Sequence, residues 1–165
     1  MIDSRVVTGL HHIRETVRQR AEEMTAIDGA WPCHKGCDEC CRHLAAEPRV
    51  TRAEWESISA ALANLPGGTA RGVFARIRKS SAAFRPVVCP LLDADSGTCL
   101  VYEARPVACR AYGFYAERQF VLGCGRIEAL GLRSPDLVWG NHRSLEASLG
   151  ALGEAATLTE WLVGR

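Results

Sequence analysis

Apolar residues recur at steps of three or four through the first part of the chain, at Val6, Leu10, Ile13, Val17, Ala21, Met24 and Ile27. That spacing lays a single stripe along a helix and predicts a long amphipathic helix over residues 3–27. Gly29 and Pro32 then break the pattern. The stripe returns in Trp55, Ile58 and Leu62, behind the sequence Thr51-Arg52-Ala53-Glu54. A Thr followed three positions later by Glu is a capping box, in which each residue satisfies a backbone N–H that the helix start would leave open. The second helix stops at Leu65-Pro66-Gly67-Gly68. A third is predicted over 70–83, with Val73, Phe74 and Ile77 inward and Arg71, Arg76, Arg78 and Lys79 outward.

The pattern changes at Pro86. Residues 87–102 read as two short apolar segments around Asp93-Ala94-Asp95-Ser96-Gly97. The polar residues and glycine favour a turn, so a small β-hairpin is predicted, with Cys89 and Cys99 on its arms. Pro106 is placed to start a helical turn bearing Cys109. Ser134-Pro135-Asp136 is expected to open a helix running on to Leu149, and a short helix around 159–163 closes the chain. The fold class expected is mainly α: a small helical domain with a short β-hairpin and a cysteine-ligated metal centre. Its organisation is expected to be one domain over 1–165, with an N-terminal helix in 1–30, a cysteine-bearing core over 33–124 and helices in 134–165. The stretch 86–126 shows few long apolar stripes, so ligand bonds are expected to substitute there for core.

Charge narrows the function classes. Twenty Lys and Arg stand against nineteen Asp and Glu, a net charge of +1. That balance lacks the electrostatic footprint of a nucleic-acid binder, and no apolar run is long enough to span a bilayer. The first residues lack the continuous apolar segment of a secretory signal. A cytoplasmic protein with reduced thiols is therefore expected, and its partner, a protein or a small molecule, is left open.

The chemistry lies in the eight cysteines. Four of them, Cys33, Cys37, Cys40 and Cys41, fall within nine positions. Crowded thiols offer no packing advantage over Ala or Val, but they suit a soft metal, and in a reducing compartment they read as ligands. If residues 33–41 are helical, Cys33, Cys37 and Cys40 share a face while Cys41 points about 100° away. A loop running into a helix is equally compatible with Pro32 and Gly36. Either way three thiols are expected to converge, with remaining ligands drawn from Cys89, Cys99, Cys109 and Cys124. The metal should then join 33–41 to the 89–124 block. Thiolates need nearby positive charge, and Arg105 and Arg110 are candidates to hydrogen-bond the sulfurs. Asp38 and Glu39 are expected to face solvent. His34 and His43 flank the first cluster but are not needed as ligands.

Three blocks, Cys33-x3-Cys37-x2-Cys40-Cys41, CPLLDADSGTC (89–99) and YEARPVACRAY (102–112), occur in order. In this the chain resembles the CxxCxxCC (YkgJ) family of zinc- or iron-chelating cysteine-cluster proteins, and flagellin lysine N-methylase is similar in this region. The first gap here has three residues rather than two, and Gly113 stands where a proline often follows the aromatic. The resemblance implies a bound metal centre, either a [4Fe–4S] cluster or Zn(II), and the methylase likeness favours the cluster. The leading expectation is a metal-binding cysteine-cluster protein. One alternative is an iron–sulfur-dependent, methyltransferase-like enzyme using S-adenosylmethionine, although no glycine-rich strand-turn-helix is present to cradle that cofactor. Another is a zinc-stapled interaction module.

Overall fold

A computed structural model of the chain describes residues 2–27, 29, 31–80, 82–134 and 136–164. The elements in order begin with α1 (Ser4–Ile27), α2 (Glu39–Arg42), β1 (Arg49–Thr51), α3 (Arg52–Ala63) and α4 (Gly67–Ser80). Next come β2 (Leu92–Asp93), β3 (Thr98–Cys99), a 3₁₀ turn (Tyr102–Ala104), α5 (Val107–Ala111), β4 (Tyr115–Glu117) and β5 (Phe120–Val121). The last are α6 (Gly125–Arg133), β6 (Gly140–Asn141), α7 (His142–Gly150), β7 (Ala155–Thr157) and α8 (Leu158–Val163). The protein is mainly α, with short strands. None of the described helices is long and apolar enough to cross a membrane. The chain forms two compact units, one from Met1–His34 with Val107–Leu152, the other from Lys35–Pro106 with Gly153–Arg165.

In the first unit, the predicted stripe of α1 is its buried face: Leu10, Ile13, Val17 and Met24 are all buried, while Ile27 is exposed. β4 stands between β5, which it pairs antiparallel, and β6, which it pairs parallel. Trp31 stacks on Phe114 at 5.5 Å between ring centroids and tilts against Trp139 at 6.0 Å. The helix expected to open at Ser134-Pro135-Asp136 begins instead at His142, where the Asn141 side chain accepts from the Ser144 N–H at 3.0 Å. Pro135 lies outside the described residues. Asn caps as well as Ser or Asp does, and here the cap is itself the last residue of a paired strand. The amphipathic helix α6 lacked a sequence expectation, although Ile127 and Leu130 form its buried face.

The second unit is built on α3, α4 and α8. Val50, Ile58, Leu62, Val73, Ile77 and Leu158 are fully buried in one apolar cluster. The capping box at α3 is present, with the Thr51 N–H donating to Glu54 Oε2 at 2.8 Å. β1 pairs antiparallel with β7, Val50 opposite Ala156, which ties the C-terminal segment to this unit. Buried Glu47 receives the Thr159 N–H at 2.7 Å, and the Trp161 indole donates to the Val50 carbonyl at 2.8 Å. The third helix lies three residues earlier than expected at each end and stops at Ser80; Ser81, inside the expected range, lies outside the described residues.

The expectation of little core in 86–126 is overturned. Val87, Cys89, Leu91, Leu92 and Val101 are buried in the second unit, and Val107, Ala111, Phe114 and Tyr115 in the first. Val87, Cys89 and Leu91 alternate and Val107, Ala111 and Phe114 keep a helical step, but each run is only three residues long before a turn ends it. Runs that short do not stand out as stripes in the sequence.

Candidate metal centre

Of the cysteine segment, only Glu39–Arg42 is helical. Cys33 and Cys37 lie on irregular chain, so the shared helical face of Cys33, Cys37 and Cys40 does not form. Gly36 takes a φ of +95°, a left-handed conformation that turns the chain just before Cys37. The unit boundary falls between His34 and Lys35, placing Cys33 with Cys109 and Cys124, and Cys37, Cys40 and Cys41 with Cys89 and Cys99. None of the eight forms a disulfide.

In the second unit, a short antiparallel contact brings thiols together. Leu44 and Val87 exchange both backbone hydrogen bonds at 2.9 Å, and the Cys89 N–H donates to the Cys41 carbonyl at 2.7 Å. This lays the residues after α2 along the strand leading into the hairpin. Within the hairpin Cys99 sits on β3 opposite Leu92, as expected for one arm. Cys89 precedes β2 rather than lying on it, three residues before a Leu92 N–H that bonds its carbonyl at 3.1 Å.

Electrostatics report the result. The Cys40 thiol is raised far above its ordinary value, first by its hydrogen bond with the Cys41 side chain and then by burial. Cys41 is lowered by that same bond, but its bond with Cys89 and its burial outweigh this and push it up to about 12, with Cys99 adding charge repulsion. Cys41 thus interacts with Cys40, Cys89 and Cys99. Among the described residues no three His, Cys, Asp or Glu side chains already stand at coordinating spacing. The donor chemistry nonetheless suits a soft cation. A divalent ion that binds clustered thiols displaces their protons and offsets the repulsion between the thiolates.

The surroundings of these thiols differ from expectation. Asp38 does not face solvent: its carboxylate accepts from Arg42 Nε at 2.6 Å, and its side chain is only 24% exposed. Arg42 Nη2 also donates to the Ala94 carbonyl at 3.2 Å, clamping the hairpin turn to α2. The Asp38/Arg42 spacing of four was the available signal for this pair. Glu39 is exposed, as expected, and its carbonyl lies 3.0 Å from His43 Nδ1. The guanidinium of Arg105 lies 4.0 Å from the centroid of the Tyr102 ring, and Lys35 Nζ lies 5.3 Å from the same ring. Tyr102 therefore serves as a platform for two cations, a role that its type and position did not announce.

In the first unit three cysteine-bearing segments meet at Gly113. Cys109 lies on α5, and Cys124 is the N-cap residue of α6. Arg110 is half-buried in the last turn of α5. Gly113 donates to the Leu122 carbonyl at 2.6 Å. Its φ of +89° and the lack of a side chain are both required, since a Cβ there would collide with Cys33 Sγ and come within 3.6 Å of Ile127 Cδ1. The absence of a side chain at Gly113 is what allows Cys33 to approach.

The model of the CxxCxxCC family, described as "Putative zinc- or iron-chelating domain", matches residues 32–125, more than half of the chain. The protein belongs to this family. Comparison with curated proteins and comparison with solved structures each returned no match.

Proposed function

We propose that the protein binds zinc or iron through cysteine thiolates, and that Cys40, Cys41, Cys89 and Cys99 form a four-thiolate set within the second unit. The observation that carries this reading is the convergence on Cys41 of three other thiols from two separate stretches of chain. Four thiolates close a tetrahedron around Zn(II) or hold an iron–sulfur cluster. Cys37 belongs to the same unit and is available as a further donor, while Cys33, which lies against Gly113, shares the first unit with Cys109 and Cys124. Arg105, held on Tyr102, places positive charge in the same unit, and Arg110 does so on the helix of Cys109.

Metal analysis of anaerobically purified protein, with its visible spectrum, tests the reading. Stoichiometric zinc without colour, or iron and acid-labile sulfide with broad visible absorption, supports it and names the metal. Cys41→Ser and Cys89→Ser should each abolish stoichiometric binding. Purified protein free of metal that takes up neither zinc nor iron on reconstitution overturns it.

A further inference from the structure

A cleft of about 390 Å³ lies within the first unit, between α1 on one side and β6 with α7 on the other. That volume is in the range of small-molecule sites, and no cysteine lines it. Its floor is apolar: buried Ile13 from α1, buried Leu145 from α7 and the ring of Tyr115 from β4. The ring is laid on Gly140, where a Cβ would come within 2.6 Å of its Cε1, Cδ1 and Cζ. Tyr115 is 5% exposed, yet among the described residues its hydroxyl has no hydrogen-bond partner. The charge of Arg20, on the cleft wall, acts on that hydroxyl, but burial outweighs it and raises the group above its ordinary value. The phenol therefore keeps its proton and stays a donor. A hydroxyl withdrawn from bulk water and left unpaired is destabilising, so this one calls for an acceptor supplied from the cleft.

The walls are electrically balanced. With His12 neutral, Arg20 and Glu23 are the charged lining residues, and they pair with each other at 2.9 Å. Arg20 Nη1 also donates to the Val138 carbonyl at 3.4 Å. What remains is uncharged hydrogen-bonding capacity of both kinds. Thr16 Oγ1 and Ser148 Oγ give their protons to the His12 and Ser144 carbonyls, each at 3.0 Å, which leaves their lone pairs to accept. The Asn141 side-chain oxygen is taken by the Ser144 N–H at 3.0 Å, which leaves its amide group to donate. Acceptors thus stand on both walls, with donors at Asn141 and Tyr115.

We propose that this cleft binds an uncharged cyclic polyol, such as a monosaccharide or an inositol, with its C–H face on Ile13 and Leu145 and its hydroxyls on Tyr115, Thr16, Asn141 and Ser148. Each hydroxyl of a polyol donates and accepts at once, which matches walls that mix the two roles. A charged ligand finds no uncompensated partner here, and a purely apolar one would leave the wall groups unpaired. The inference stands on the cleft alone and does not depend on a metal.

The test is an amide NMR titration of the full chain with methyl β-D-glucopyranoside, with myo-inositol and, as a control, with cyclohexylmethanol, which keeps a ring but only one hydroxyl. At least one polyol should give saturable shifts confined to residues lining the cleft, at an affinity about tenfold or more above the control, the scale of two hydrogen bonds. Tyr115→Phe keeps the ring on Gly140 and should weaken that polyol about fivefold, the scale of one neutral hydrogen bond. It should not lower the urea midpoint, because the hydroxyl has no partner within the fold to lose. Thr16→Val, at an exposed position, keeps the side chain's shape and should weaken the polyol by a similar factor. Saturable binding of neither polyol, shifts elsewhere on the protein, equal affinity for cyclohexylmethanol, or unchanged affinity in Tyr115→Phe would each overturn the proposal. So would a loss of stability in Tyr115→Phe, which would show the hydroxyl to be bonded inside the fold.

Discussion

The two units hold cysteines in place by different means. In the second, the thiols rest on a packed floor. Cys89 is part of the buried cluster, Cys41 and Cys99 pack against it, and backbone hydrogen bonds between residues 41–44 and 87–89 set their approach. In the first, Cys33 lies on a loop against Gly113, while Cys109 is on a five-residue helix and Cys124 at a helix cap. The thiols of the second unit are held by burial and backbone hydrogen bonds, and the place of Cys33 in the first unit by steric permission at a single position. Convergence imposed by a core tolerates loss of one contact. A position set by a close approach does not.

The largest effect that could break this contrast is removal of metal. A structural thiolate site contributes on the order of 10 kcal/mol, so chelation should lower hydrogen-exchange protection across residues 86–106. The buried face of α1 should keep its protection. Unchanged protection across 86–106 would separate the hairpin's stability from the metal altogether. Next comes the floor itself. Leu62→Ala removes a fully buried side chain and should cost about 2–5 kcal/mol in urea unfolding. If thiol convergence depends on that floor, metal affinity in Leu62→Ala should fall as well.

Gly113→Ala probes the other unit and should cost about 1–3 kcal/mol, since the left-handed backbone and the clash with Cys33 Sγ act together. Its sharper readout is the reaction rate of Cys33 with a thiol reagent, which should rise as the sulfur is pushed from its place. An unchanged rate would show that the glycine does not position Cys33. The smallest effect concerns α1 alone. Arg18 hydrogen-bonds Glu15 and holds its carboxyl at about 2, below the ordinary 4.5. A carboxyl lowered by folding stabilises the helix above its ordinary pKa and loses that contribution as pH falls from about 4.5 toward about 2. Helical circular dichroism should show a slight acid-dependent loss that Glu15→Gln removes. The pair is solvent-exposed, so the loss is small and weakens with salt.

How much of this was legible in the sequence depends on the length of the element. α1, α3 and α4 were readable because several turns of periodic burial repeat the same signal, and the Thr51/Glu54 box marked where α3 begins. The start of α7 was misplaced by a Ser-Pro-Asp triplet with good local credentials. Tertiary strand pairing of β6 with β4 moved the start to the equally good cap Asn141. α6, at nine residues, was too short and too close to glycines to stand out.

For the site, the sequence by itself determined which thiols are available and how they are spaced: eight, seven of them in three ordered blocks and Cys124 beyond, in a family described as metal-chelating. It also determined the hairpin turn, because Asp93–Gly97 has little else it can locally do. Only the tertiary structure decided which cysteines share a neighbourhood. Cys33 and Cys41 are eight positions apart, yet Cys33 lies against Gly113 while Cys41 meets Cys89 from nearly fifty residues on. Local spacing constrains side chains only where a regular element transmits it, and this segment is regular for just four residues. Beyond that the positions of the sulfurs follow from which apolar residues bury together and which backbone groups pair, and those are properties of the whole fold.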